Sequence, residues 1–292
     1  TKTGSGTLAL GAENTFAGPL AIQAGTVRLD PLSGSSLWLD AANAASVQTA
    51  GTVVNAWHDV LGRAGSLTPA GAGREPSYGT DTINGLDVVH FSTSGTADQI
   101  YNTVNYLSPI TVFAVAARTA GASNRLITST SNNWLLGYHS NLVDDAYFEG
   151  WVNHGTVNDT NVHMYEAVIR GAGQNSDVYV YDTARGLTLL TSNASGTTGP
   201  NGLALGAWQT TTQQALDGNV AEVLIYRGVL SAAQRQAVES YLAQKWFGAA
   251  LAAPMLNIIP DTCQVSIASG ATLDLNGYME TVGPLSGPAG AG

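Results

Sequence analysis

One phrase is written twice in this chain, once near each end. Ile22-Gln23-Ala24-Gly25-Thr26-Val27-Arg28-Leu29-Asp30 is echoed by Ile267-Ala268-Ser269-Gly270-Ala271-Thr272-Leu273-Asp274-Leu275-Asn276, with Ala271 as the one inserted residue. Self-similarity built on Leu-x-Leu pairs between Gly-rich turns marks a stacked β architecture, whose units cannot bury their apolar side alone. In the first flank Leu8/Leu10, Leu20/Ile22 and Val27/Leu29 alternate with polar neighbours between Gly11, Gly18 and Gly25. In the last flank Val265/Ile267, Leu273/Leu275 and Val282/Leu285 repeat the style, and Asn276-Gly277 is a turn signal because both residues tolerate positive φ. A flank of about thirty residues is below the size that folds alone, and solenoids need about three coils. Each flank must therefore find a partner: the other flank of its own chain, the domain between them, or the complementary flank of a neighbouring molecule by strand addition.

Between the flanks, residues 36 to 230 hold strand candidates at irregular spacing: Leu37 to Asp40, Gly85 to Phe91, Ile110 to Arg118, Trp134 to Tyr138, Val162 to Arg170, Val178 to Tyr181, Leu203 to Ala207 and Val220 to Tyr226. This is the pattern of an antiparallel sandwich. Around Val220, Ala221, Val223 and Ile225 lie on one face and Glu222, Leu224 and Tyr226 on the other, so both faces are largely apolar and the strand is expected to be central. Ser231-Ala232-Ala233-Gln234 is a capping box. Val238, Tyr241, Leu242 and Trp246 then fall at helical spacing and Gly248 supplies a stop, so one helix is expected over about residues 232–247. The expected division is a solenoid part over residues 1–35, a sandwich over 36–248 and a second solenoid part over 249–292.

The 292 residues suffice for a core without disulfides or metals. Charged residues are 11 % of the chain against a usual level of about 25 %. The balance of 21 acidic to 11 basic residues opposes the sign that phosphate backbones and anionic lipid require, which argues against nucleic-acid and membrane-surface partners. The single cysteine, Cys263, cannot form an internal disulfide and reads as a small buried apolar thiol. No apolar stretch approaches membrane-spanning length, and Thr1-Lys2-Thr3 does not begin a signal peptide, so a processed form or a piece of a longer chain is expected.

Four segments of the middle region resemble the laminin-G-like, concanavalin A-like lectin/glucanase domain of exported bacterial proteins. They are Leu37-Trp38-Leu39-Asp40-Ala41; Trp57-His58-Asp59 with Gly62; Ile83-Asn84-Gly85-Leu86-Asp87-Val88-Val89-His90-Phe91; and Asp217 to Tyr226 leading into Leu230-Ser231, Tyr241-Leu242 and Lys245-Trp246. The resemblance implies an all-β fold, an antiparallel jelly-roll sandwich with one C-terminal capping helix. The flanks resemble the autotransporter-associated β-strand repeat, with Gly270 to Gly277, Leu285 to Gly287 and Thr3 to Leu10 matching its successive phrases. That resemblance implies partial β-solenoid strands at both termini and an extracellular or bacterial cell-surface location. In this order the repeat is split, its earlier part at the C-terminus, so the end of one chain leads into the start of another. A contact of that kind is heterologous and propagates as a fibre, with copies of the chain as partners. The assembly strands would be those carrying Leu8, Leu10, Leu20, Ile22, Val27, Leu29, Val265, Ile267, Leu273 and Leu275.

Chemistry leaves few traces. Laminarinase-type relatives of the sandwich carry carboxylates at alternate strand positions, because acid and nucleophile must face one sugar about 5 Å apart. Here Asp144, Asp145 and Glu149 have another spacing and read as a solvated loop. Gly-x-Ser-x-Gly is absent, and His58, His90, His139, His154 and His163 form no zinc pattern. The expectation is therefore no enzyme and no required cofactor. Calcium is the one ion weighed, with Asp98 and Asp217 as the carboxylates to test against the plainer reading of turn aspartates. Glycans are the alternative ligand, for which Trp134, Tyr138, Tyr147 and Trp151 could build an aromatic platform, although strand aromatics more often fill cores. The expected role is a non-catalytic, extracellular structural protein assembling head to tail; the alternative is a carbohydrate-binding or adhesive module of a longer exported protein.

Overall fold

The computed structural model describes residues 1–292 except 12–13, 120–123, 253–254, 257 and 289–292. It divides into two compact units, one of Thr1–Ser35, Leu230–Tyr241 and Ala250–Gly292, the other of Ser36–Val229 and Leu242–Ala249. Among the described residues the regular structure is strand, apart from one α-helix and short 3-10 turns.

In the terminal unit the strands stack in parallel. Lys2 and the strand Thr7–Leu10 form a first rung, and Leu20–Ile22 with Thr26–Leu29 a second. Met255–Leu256, Val265–Ile267 and Thr272–Asp274 form a third, and Met279–Glu280 with Leu285–Ser286 a fourth. Successive rungs align like on like: Ile22 lies beside Ile267, Thr26 beside Thr272 and Val27 beside Leu273. The extra residue, Ala271, is absorbed in the turn, where its N–H bonds the Ala268 carbonyl at 3.0 Å. The flanks thus find each other within one chain, and rungs two and three are consecutive in space although more than two hundred residues separate them in sequence.

This stacking explains the apolar alternation. Leu20, Ile22, Val27, Leu29, Val265 and Ile267 are buried in one core with Cys263 and with Ala237 of the helix. Leu10 and Leu273 are partly buried against it, whereas Leu8, on the first rung, and Leu275, just past the end of Thr272–Asp274, are exposed. Gly25 is required where it stands: its φ is +72°, and a Cβ there would lie 2.4 Å from the Gly6 carbonyl oxygen and 2.5 Å from that of Gly4.

The central unit is antiparallel. One sheet runs through Gly186–Asn193, Ser176–Asp182, His163–Ile169, Ile110–Arg118 and Gly218–Arg227 to Leu37–Asp40 and Leu86–Phe91. The other runs through Trp151–Asn153, Leu142–Phe148, Trp134–His139, Ile127–Thr128, Asn201–Leu205 and Ile100–Asn105 to Ser66–Pro69. Inward residues of both sheets, among them Val112, Tyr165, Val223, Trp134, Leu136 and Leu205, share one core.

Gly218–Arg227 is central, as its two apolar faces require, with neighbours on both edges. A bulge opposite Val115/Ala116 shifts the alternation, so Val220 rather than Ala221 joins Val223 and Ile225 in the core. On the other face Glu222 is fully buried and accepts hydrogen bonds from Trp38 Nε1 (2.7 Å), Trp246 Nε1 (2.6 Å) and Lys245 Nζ (2.8 Å). The helix, Ala232–Phe247, begins at the capping box: Gln234 Oε1 accepts from the Ser231 N–H at 2.9 Å, and Ser231 Oγ from the Gln234 N–H at 3.4 Å. It ends at Gly248, φ +62°, beyond which the Ala249 N–H reaches back to the Ala243 carbonyl at 3.1 Å.

Candidate functional site

Strand alternation separates the four aromatic candidates into two pairs. Trp134–His139 and Leu142–Phe148 pair with Trp134 beside Phe148 and Leu135 beside Tyr147, so Trp134 and Tyr138 point into the core. Both are fully buried: Trp134 stacks on Phe148 with ring centroids 5.0 Å apart and gives its Nε1–H to the Thr198 carbonyl at 2.9 Å, and Tyr138 meets Tyr165 edge to face. Neither offers a face to a ligand. Tyr147 and Trp151 are cross-strand partners on the outer face of the same sheet and stay partly exposed.

Around Trp151 the structure gathers residues that spacing alone did not join. Tyr147 meets the indole edge to face at 5.1 Å and His139 at 5.4 Å, while the His154 imidazole stacks over it at 3.7 Å. His154 remains well exposed. Beside this group Arg125, itself buried, lies 5.3 Å from the Trp208 ring and donates to Gln214 Oε1 (2.6 Å), Asn133 Oδ1 (2.9 Å) and the Trp134 carbonyl (3.0 Å). Burial pushes the Arg125 guanidinium down to about 10, against a smaller opposing effect of Tyr147. Burial likewise lowers the His139 imidazole, helped by Arg125 and His154. His139 and His154 stood in the sequence only as histidines without a pattern, since the hairpin that brings them to Trp151 carries no motif, and Trp208 enters only through Arg125.

Asp144 and Asp145 do not form a solvated loop. A bulge in the hairpin sets Gly137 opposite Asp145 and Tyr138 opposite Val143, leaving Asp144 as the extra residue at φ +72°. Both carboxylates are buried. Burial opposes the charge of Asp144, but His163 (3.5 Å) and Arg185 (2.5 Å) outweigh it and hold the group below the ordinary carboxylate range. His163 also bonds Asp159 at 2.9 Å; burial disfavours its charge, yet the two aspartates raise it overall. Asp145 faces the exposed His154 imidazole at 3.9 Å instead: burial, helped by the neighbouring Asp144 charge, pushes it up to about 6, one oxygen accepts the Gly155 N–H at 3.1 Å, and the other has no hydrogen-bond partner. The two adjacent carboxyls thus titrate apart, Asp144 held low by Arg185 and His163 and Asp145 raised by burial, with both largely ionised at neutral pH.

Asp98 and Asp217 occupy separate turns. Asp98 is buried, accepts the Ser92 N–H at 2.8 Å, and is pushed up to about 6 by that burial. Asp217 accepts from the hydroxyls of Thr119 and Thr93. Among the described residues no group of three or more His, Cys, Asp or Glu side chains could hold a metal ion. Among the same residues no helix is long and apolar enough to cross a membrane.

Residues 1–29 match the family model of the passenger-associated-transport-repeat. No curated protein matches the chain. Among solved structures, a mutant GH54 α-L-arabinofuranosidase soaked with 4-nitrophenyl α-L-arabinofuranoside is 14 % identical over 75 % of this chain and 60 % of its own, with a TM-score of 0.45. A Trypanosoma rangeli sialidase in complex with 2,3-difluorosialic acid is 15 % identical over 80 % of this chain and 36 % of its own, with a TM-score of 0.39. The Ruminococcus gnavus IT-sialidase CBM40 is 14 % identical over 42 % of this chain and 77 % of its own, with a TM-score of 0.26. The chain spans about 60 % of the arabinofuranosidase it matches. The expectation that the chain is no enzyme is corrected by these likenesses: the similar structures include arabinofuranosidases and sialidases, and the exclusion of catalysis is withdrawn.

Proposed function

We propose that this chain belongs to an exported passenger, located at the cell surface or outside the cell, in which a parallel β-solenoid carries a laminin-G-like, jelly-roll sandwich inserted between its second and third rungs. The sandwich recognises carbohydrate through the partly exposed rings of Tyr147 and Trp151. The observation that supports the scaffold part is the in-register stacking of Leu20–Ile22 on Val265–Ile267 and of Thr26–Leu29 on Thr272–Asp274, beside a transport-repeat match over residues 1–29. For the ligand, an indole stacked on one side by the exposed His154 imidazole and edged by the Tyr147 phenol and the His139 imidazole combines apolar ring surface with hydrogen-bonding rims, which suits a pyranose. A glycan array tests this reading. Binding to a defined set of glycans that Trp151→Ala abolishes, while the melting transition persists, is the expected result; absence of binding to every glycan rejects it.

Head-to-tail assembly is favoured by a narrower observation. Leu8 is 42 % exposed and Leu285 64 %, whereas their neighbours in the ladder, Val27 and Val265, are buried, so one more rung at either end would cover them. Polymers seen by electron microscopy and lost in Leu8→Lys are expected from this reading. Isolated monomers of the wild type end it.

A further inference from the structure

We infer that the central unit forms a two-fold dimer with a second copy of this chain through the edge strand Gly186–Asn193. The strand pairs with Ser176–Asp182 on one side, and no backbone ladder continues it on the other among the described residues. Edge strands in monomers are usually blunted by lysine, proline or inward charge, because their free N–H and C=O groups accept any strand that arrives. Gly186-Leu187-Thr188-Leu189-Leu190-Thr191-Ser192-Asn193 has no charged residue and no proline. Leu187 and Leu189 are 39 % and 49 % exposed and lie on the face of their cross-strand partners Tyr181 and Tyr179.

Three features select a second copy as the occupant. The far end of the edge is taken, since Asn193 donates to the Val152 carbonyl at 2.6 Å, which leaves a short free stretch centred on Thr188. That stretch is palindromic. Antiparallel pairing about a two-fold axis at Thr188 sets Leu187 of each copy opposite Leu189 of the other, burying both exposed leucines against their own kind. Charge points the same way: two chains of net charge −10 repel, so self-association needs a surface without charge. The nearest charged groups are already paired, Arg185 with Asp182 and Asp144, and Arg170 with Asp177. The inference is independent of glycan binding and of the rung edges.

The experiment is light scattering of the full chain over a concentration series, with Leu189→Lys and Thr188→Cys. With the rung edge blocked by Leu8→Lys in every sample, the chain is expected to reach twice the monomer mass. Leu189→Lys places like charges across the axis and should weaken the dimer by more than about a hundredfold, without changing the far-ultraviolet circular dichroism. Thr188→Cys should form a disulfide-linked dimer on mild oxidation, because directly opposite residues of an antiparallel pair approach to about 5 Å between Cα atoms, within disulfide reach. The native Cys263 is buried and is expected not to compete. A chain with the native edge strand that stays monomeric at every concentration overturns the inference. So does a dimer that survives Leu189→Lys while Thr188→Cys fails to cross-link.

Discussion

The two units bury β-strands by opposite means. In the terminal unit like stacks on like, Ile22 on Ile267 and Thr26 on Thr272, so each strand is held by near copies of itself. In the central unit, unlike residues from two antiparallel sheets share one core, and single polar groups tie distant segments together: Glu222 alone joins Trp38, Lys245 and Trp246. A repeat tolerates a long insertion because each contact is local to adjacent rungs. A closed core depends on a few groups whose loss is felt widely. Each unit is therefore fragile at a different kind of residue.

The largest effect should come from the central unit. Glu222→Ala leaves two indole N–H groups without their acceptor beneath the helix and is expected to cost about 3 to 5 kcal/mol, seen as a fall in the urea midpoint. A loss below about 1 kcal/mol would mean that the polar junction is dispensable and the contrast false. In the terminal unit, Leu29→Ala empties a fully buried position and should cost about 2 to 5 kcal/mol, whereas Leu8→Ala, on the outer rung and 42 % exposed, should cost less than about 1. Equal losses for the two leucines would show that the rungs are not graded from inside to edge.

Much of the architecture was readable in advance, and the reasons are physical. The echo with Ala271 as an insertion reappears as a ladder because stacking of like on like requires sequence similarity. The helix was visible because a capping box is a local device. What escaped was whatever a bulge decides. The extra residue at Asp144 turned an apparent loop into two buried carboxyls, and the bulge at Ala221 exchanged it for Val220 in the core. Trp134 and Tyr138 could not be told from Trp151 without knowing which face of the sheet was inward, and the grouping of His139 and His154 about Trp151 depends on a hairpin that residue spacing does not encode.

Asp145 gives the central unit a pH-dependent stability. Its carboxyl is pushed from 3.8 up to about 6 by burial, so the folded state binds the proton more tightly than the unfolded state. The stabilisation is complete below about pH 4 and is lost as pH rises through about 6, for up to about 3 kcal/mol. Asp145→Asn should remove its share of the slope over that interval, while Asp98 and Glu222 keep theirs, and raise stability at pH 7. An unchanged pH profile would mean that the carboxyl is ionised without penalty. A smaller contrast lies within the ladder: Gly25 and Gly270 have φ of +72° and +76°, so alanine strains both by about 1 to 2 kcal/mol. Only at Gly25 does the added Cβ meet backbone, so Gly25→Ala should exceed Gly270→Ala, and parity would remove the close approach of rungs one and two.

The smallest effect separates backbone ladder from side-chain ladder. Arg28 on the second rung faces Asp274 on the third, Nε to Oδ2 at 3.5 Å, and also donates to Asn276 Oδ1. Both ion-pair partners are more than two-fifths exposed, so solvent screens the attraction and Arg28→Ala should cost less than about 1 kcal/mol. What little is lost should shrink further in 1 M salt, where the screening length falls to about 3 Å. If rung stacking is carried by the backbone and the buried apolar column, the Arg28→Ala variant will melt within a few degrees of wild type at either salt concentration. A loss comparable to that of Leu29→Ala would instead make the Arg28 ladder the main tie between rungs two and three, and the terminal unit would then resemble the central one in resting on a single polar contact.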